Sequence, residues 1–111
     1  MSTVNTEPRT LGGLARYIRS KNAGPFWVTV DIFFDDDTAY DAVAASGVIN
    51  PDMIAALYGV RPEQVKIFFI ADLRAIKVSY PRTTPQGSVG DRDMHAAQQF
   101  IPLRTIEVPL P

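Results

Sequence analysis

Hydrophobic and polar positions alternate most cleanly in FWVTVDIFF, residues 26–34. Phe26, Val28, Val30, Ile32 and Phe34 fall on one side, and Trp27, Thr29, Asp31 and Phe33 on the other. Period-two alternation of aromatic and β-branched residues predicts a strand whose second face tolerates a carboxylate. Upstream, Leu11, Leu14, Ala15 and Ile18 recur at helical spacing, so LGGLARYIRS reads as a helix with Thr10 as its N-cap. Gly12 and Gly13 weaken that helix by up to about 1 kcal/mol each relative to Ala, so it depends on packing. SKNAGPF then joins helix to strand. In that reading Arg19 and Lys21 complement the helix dipole, and Asn22 or Gly24 takes the left-handed conformation that closes the helix.

Further along, DDDTAYDAVAASG predicts a helix capped by Asp36 or Asp37 and ended by Gly47. PDMIAALYG predicts another, with Asn50 as cap, Pro51 in its first position and Gly59 at its end. VKIFFI and AIKVSY are strands close enough to form an antiparallel hairpin, and the run IFFI implies burial on both faces. PRTTPQGSVG, residues 81–90, has no hydrophobic periodicity and leads with DRDMHAAQQ into a long loop of the kind that carries function or is disordered. PLRTIEVPL alternates like a last strand, with prolines suited to a sheet edge.

The expected fold is α+β: a flexible tail over residues 1–9, then one small domain over 10–111. Its mixed sheet has about four strands, with helices packed mainly on one face. The link from residue 34 to 65 is long enough for a crossover, so strands 26–34 and 65–70 run the same way. The hairpin returns strand 75–80 so that its end lies where strand 26–34 begins. That order brings SKNAG and the long loop to one edge of the sheet.

Composition narrows the chemistry. With 111 residues and 46% hydrophobic content, one core is affordable and two domains would be cramped. Eleven Lys plus Arg against twelve Asp plus Glu leave a formal net charge of −1, so no general cationic field favours nucleic acid. The absence of cysteine removes disulfides, thiolate metal sites and cysteine nucleophiles. No apolar run approaches the roughly 20 residues of a membrane span, and MSTVNTEPR lacks a secretory pattern; the expected location is the cytoplasm.

At the expected edge, Arg19, Lys21 and Asn22 bring donors, while Gly24, Gly87 and Gly90 allow close backbone approach to a carboxylate or phosphate. Asp91, Asp93, His95, Gln98 and Gln99 bring acceptors, an imidazole and amides, a mixture suited to a small anionic ligand. His95, the only histidine, is the natural acid or base at neutral pH, with Asp91 and Asp93 as the other catalytic candidates. Plain alternatives stand beside these readings. The 19–24 stretch serves as a helix cap, Asp35 to Asp37 serve as cap and dipole complement rather than metal ligands, and Asp31 pairs with Lys66 or Lys77 across the sheet. D-x-D-x-H does not share a helix face, so no metal is predicted. GSVG lacks the Walker Lys-Ser/Thr, which argues against ATP, and no dinucleotide fingerprint exists.

RSKNAGPF, the strand with Asp31, SGV-x-x-P at 46–51, LYGV at 57–60 and GDRD-x-x-x-AQQ at 90–99 together resemble a family catalogued as domain of unknown function 4387. Proteins of that family look like companions of a larger protein similar to the acyclic terpene utilisation protein AtuA. The resemblance implies a small accessory subunit or domain in acyl-CoA or branched organic-acid catabolism. No cofactor is predicted, although a CoA-linked substrate is compatible. The expected partners are the AtuA-like protein or further copies of the chain, without nucleic acid or membrane. Two alternatives stay open: a free-standing lyase, hydratase or isomerase of a small carboxylate or acyl-CoA, and a non-catalytic ligand-binding module.

Overall fold

The alternating stretch is a strand, β2 (Trp27–Phe33), and it has a partner on each side. The computed structural model describes residues 9–82 and 101–109. Within them the order is α1 (Leu11–Leu14), β1 (Tyr17–Asn22), β2, α2 (Asp37–Ser46), α3 (Pro51–Tyr58), β3 (Lys66–Ile70), β4 (Ala75–Pro81) and α4 (Ile101–Arg104), with short 3₁₀ turns on either side of β3. The four strands form one sheet in the order β1-β2-β4-β3. The fold class is therefore α+β, as expected.

Alternation decides what each face of the sheet does. Val28, Val30 and Ile32 of β2 and Ile76, Val78 and Tyr80 of β4 point to one side, where they join Leu11, Tyr40, Val43, Ile54 and Leu103 in a single buried cluster. All four helices contribute to the sheet from this side or extend the same core. The helix boundaries follow their caps: Asp36 Oδ1 accepts from the Ala39 amide at 2.8 Å, and Asn50 Oδ1 accepts from the Met53 amide at 2.8 Å. Gly47 and Gly59 end α2 and α3 in the left-handed conformation, at φ 74° and 70°. Burial raises the Tyr58 hydroxyl above the ordinary tyrosine value, and its contact with Tyr80 partly offsets that.

Four expectations need correction. The helix from Thr10 lasts one turn: Thr10 Oγ1 accepts from the Gly13 amide at 3.1 Å, but Tyr17–Asn22 pairs with β2 as a strand. Two consecutive glycines give the helix little intrinsic support, and pairing with β2 satisfies the backbone of the following residues instead. The sheet is antiparallel throughout rather than mixed. β2 and β3 do run the same way, but β4 returns into the slot between them, as in a split βαβ unit. β3 is thus an edge strand, and IFFI is not buried on both faces: Phe68 is 51% and Phe69 48% exposed. Finally, PLRTIEVPL is not a sheet strand. Its first part is α4, which buries Leu103, and Glu107 makes only an isolated bridge to Thr10.

The short α1 packs against α4, and this explains Gly12. A Cβ there would lie 3.0 Å from the Arg104 carbonyl oxygen and 3.1 Å from the Arg104 Cβ. At Gly13 the nearest atom would be the Thr10 hydroxyl at 3.3 Å. Alanine gains about 1 kcal/mol of helix propensity over glycine, whereas overpacking against backbone costs about 1–3 kcal/mol. Gly12→Ala is therefore expected to destabilise by up to about 2 kcal/mol despite its better propensity. Gly13→Ala should change stability far less. Urea unfolding of the two variants checks the difference in midpoint.

Candidate functional site

SKNAGPF is the turn of a β-hairpin, not the end of a helix. Asn22 is in register with Val28, the Ala23 amide donates to the Trp27 carbonyl at 2.9 Å, and Gly24 sits at φ 84°. That positive φ is the conformation L side chains rarely adopt, so the glycine serves the turn. Phe26, expected on the core face, lies in the turn and is 58% exposed.

The expected convergence with the long loop holds as far as the described residues reach. Trp27 is in register with Pro81, the Arg82 amide donates to the Phe26 carbonyl at 2.7 Å, and the Arg82 guanidinium donates to Asn22 Oδ1. The chain thus enters the loop from beside the SKNAG hairpin. Gly87, Gly90, Asp91, Asp93, His95, Gln98 and Gln99 lie outside the described residues.

Arg19 and Lys21 belong elsewhere than at a helix end. Both project from β1 onto the sheet face away from the core, where cross-strand register sorts the side chains into rows. One row reads Arg19, Asp31, Lys77, Phe68, and the next reads Lys21, Thr29, Ser79, Lys66. Four cations and one carboxylate therefore share this open face, although the chain as a whole is nearly neutral. Thr29 Oγ1 and Ser79 Oγ lie 3.4 Å apart at the middle of the second row, between the two lysines. Aromatic rings brace the rows: Tyr17 stacks on Phe33 at 4.6 Å, the Arg19 guanidinium lies 5.5 Å from the Phe33 centroid, and Lys66 Nζ lies 5.3 Å from the Trp27 centroid.

Asp31 is the exceptional member. It is 6% exposed, and Arg19 Nε reaches only its Oδ2, at 3.4 Å; Oδ1 is buried without a hydrogen-bond partner. The expectation that Asp31 pairs across the sheet is met by Arg19 rather than by Lys66 or Lys77: Lys66 lies on β3, which does not adjoin β2, and Lys77, though in register with Asp31 on β4, forms no ion pair with it. The aspartates at the start of α2 behave as caps and ion-pair members. Asp36 caps the helix, Asp37 accepts from Arg74 at 2.9 Å and Asp35 lies 3.6 Å from Arg16. Among the described residues no group of three His, Cys, Asp or Glu is placed to hold a metal.

The sequence matches the domain of unknown function DUF4387 over residues 11–107. The chain belongs to that family. No curated protein and no solved structure matches it. In this DUF4387 chain, residue spacing nominated Arg19 and Lys21 but missed Thr29, Lys66, Lys77 and Ser79. Lys77 and Ser79 do alternate with Ile76, Val78 and Tyr80, so their face was legible. Their neighbours were not, because register depends on which strands adjoin. Arg82 carried no signal at all. Among the described residues, no helix is long and apolar enough to cross a membrane.

Chemically, the open face offers ammonium, guanidinium and hydroxyl donors around one buried acceptor, which is a set for holding an anionic group. A buried carboxylate with an unpartnered oxygen costs stability, and its ion pair contributes little because the Arg19 side chain is 56% exposed. Asp31→Val, which places a β-branched residue in mid-strand, is therefore expected to leave stability unchanged or raise it by about 1 kcal/mol. Thermal and urea unfolding check this. A loss of more than about 2 kcal/mol would mean that Asp31 supports the fold rather than the surface.

Proposed function

We propose that this chain is a small accessory subunit or domain that works with an AtuA-like protein in acyl-CoA or branched organic-acid catabolism. Its contribution is the basic open face of the sheet. The observation that carries the reading is the cross-strand row Lys21, Thr29, Ser79, Lys66 beside Arg19, Asp31 and Lys77. Such a row receives a carboxylate or phosphate between paired cations and hydroxyls, and such groups occur on acyl-CoA and organic-acid substrates and on acidic protein surfaces. The binding energy comes from several exposed cations acting together, so it is screened by salt over a Debye length of about 8–10 Å.

The Arg82 to Asn22 contact supports extending the surface toward the hairpin, where the long loop begins. In this reading the loop candidates Gly90, Asp91, Asp93, His95 and Gln98 complete the anion-binding edge from the other side. The larger partner supplies the substrate pocket that a chain of 111 residues has little volume to enclose.

Co-expression with the AtuA-like protein tests the proposal. The two are expected to co-purify, with turnover of an acyl-CoA or branched acid only when both are present. Reversing two charges, Lys21→Glu with Lys66→Glu, should weaken the association or raise the substrate KM by roughly tenfold or more. A chain that ignores the larger protein, or a double variant with full affinity and KM, would refute it.

A further inference from the structure

Three stretches of chain meet beside the first strand: α1, the residues that lead from it into β1, and α4 from the far end of the sequence. Their backbones are fixed in place. The Leu11 amide donates to the Ile106 carbonyl at 2.8 Å, the Arg16 amide donates to the Phe33 carbonyl at 2.7 Å, and Leu11 and Leu103 are fully buried. Between them lies a cleft of about 200 Å³ lined by Gly12, Arg16, Tyr17, Ile18 and Arg104. The charges on its walls are two arginines and no carboxylate. Among the described residues Arg16 meets one carboxylate, that of Asp35 at 3.6 Å, and both side chains are well exposed, so the contact is too long for a hydrogen bond and is screened by water. Arg104 has no carboxylate partner among the described residues. Arg74 shows the contrast, since its Nε donates to Asp37 Oδ1 at 2.9 Å and its Nη1 to the Asp35 carbonyl at 3.0 Å. Gly12 shapes the cleft as well: a Cβ there would stand 3.2 Å from Arg104 Nε, so the missing side chain lets the arginine lie against the backbone of α1. Two like charges on one small cleft repel each other unless an anion lies between them.

We propose that this cleft binds a phosphate group, as the free ion or as a short monoester, held between Arg16 and Arg104. A guanidinium presents its N–H donors in a rigid fork that matches the oxygens of a phosphate, and two forks from separate elements pair a tetrahedral dianion on two sides. The volume sets the size of the ligand. Pockets for drug-sized molecules run from about 300 to 1,000 Å³, so a nucleotide or CoA overfills this one, whereas a phosphate or a short ester of it fits. Asp35 competes for Arg16 from outside the cleft. None of Lys21, Lys66 and Lys77 lines the cleft, so the site is separate from the basic face of the sheet and does not depend on the proposed partner or substrate.

Titration of inorganic phosphate into the isotope-labelled full chain, with sodium chloride adjusted to hold the ionic strength constant, tests it through the amide and arginine Nε signals. Saturable shifts are expected at Gly12, Arg16, Tyr17 and Arg104. Methyl phosphate in a second titration names the source: tighter binding than inorganic phosphate assigns the site to a monoester, weaker binding to the free ion. Arg16→Gln and Arg104→Gln should each raise the phosphate Kd by roughly tenfold or more, with unchanged circular dichroism spectra. Asp35→Asn, which releases Arg16, should lower it by roughly two- to fivefold. Arg61→Gln, at an exposed arginine outside the cleft, should leave it unchanged. Shifts that grow without saturating, or that sodium chloride alone reproduces, would overturn the inference. So would arginine variants with wild-type affinity, or saturation confined to Lys21, Lys66 and Lys77, which puts the anion on the sheet face instead.

Discussion

The pairing of β2 on both sides is the constraint from which the rest follows. Because β1 and β4 adjoin it, every residue from 28 to 33 is fixed in register with two neighbours. A slip by one position would carry Val28, Val30 and Ile32 out of the core and Asp31 into it. That register places a carboxylate between Arg19 and Lys77, and Thr29 between Lys21 and Ser79. The basic surface is thus a consequence of the same alternation that builds the core.

The parts of this architecture that were legible in the sequence are those governed by local chemistry. Asp36, Asn50, Gly47 and Gly59 mark helix ends because capping is decided within a few residues. The core face of β2 was readable for a similar reason. Tyr17–Asn22 was misread because its helical spacing of apolar residues is shared with a strand that has only Ile18 and small polar residues on its inner side. The competing pairing comes from β2, which no local pattern announces. The position of β4 between β2 and β3 was equally hidden: a hairpin fixes which strands are neighbours, but not which of the two turns inward. KIFFI, the most apolar short strand, looked like the centre and lies at the edge.

Of the candidate site, sequence reasoning found two cations and the closeness of SKNAG to the start of the long loop. It attached the cations to the wrong element. Arg19 and Lys21 gained their meaning only when β1 set them beside Asp31 and Thr29. Two surfaces with opposite chemistry now divide the outside of the sheet. One is basic and hydroxyl-rich, braced by aromatic rings; the other is an apolar edge strand whose backbone, among the described residues, pairs on one side only. The buried, half-satisfied Asp31 fits this division, since a group that costs stability persists where it serves a surface rather than the fold.

We propose that the sheet face away from the helices receives an anionic group. Amide chemical shifts of isotope-labelled protein, followed while free CoA or a small dicarboxylate is titrated in, test it most directly. The perturbations are expected to concentrate at Arg19, Lys21, Thr29, Asp31, Lys66, Lys77 and Ser79 and to fade as salt is raised. Perturbations centred on the helices, or none at any of these strand residues, would contradict it.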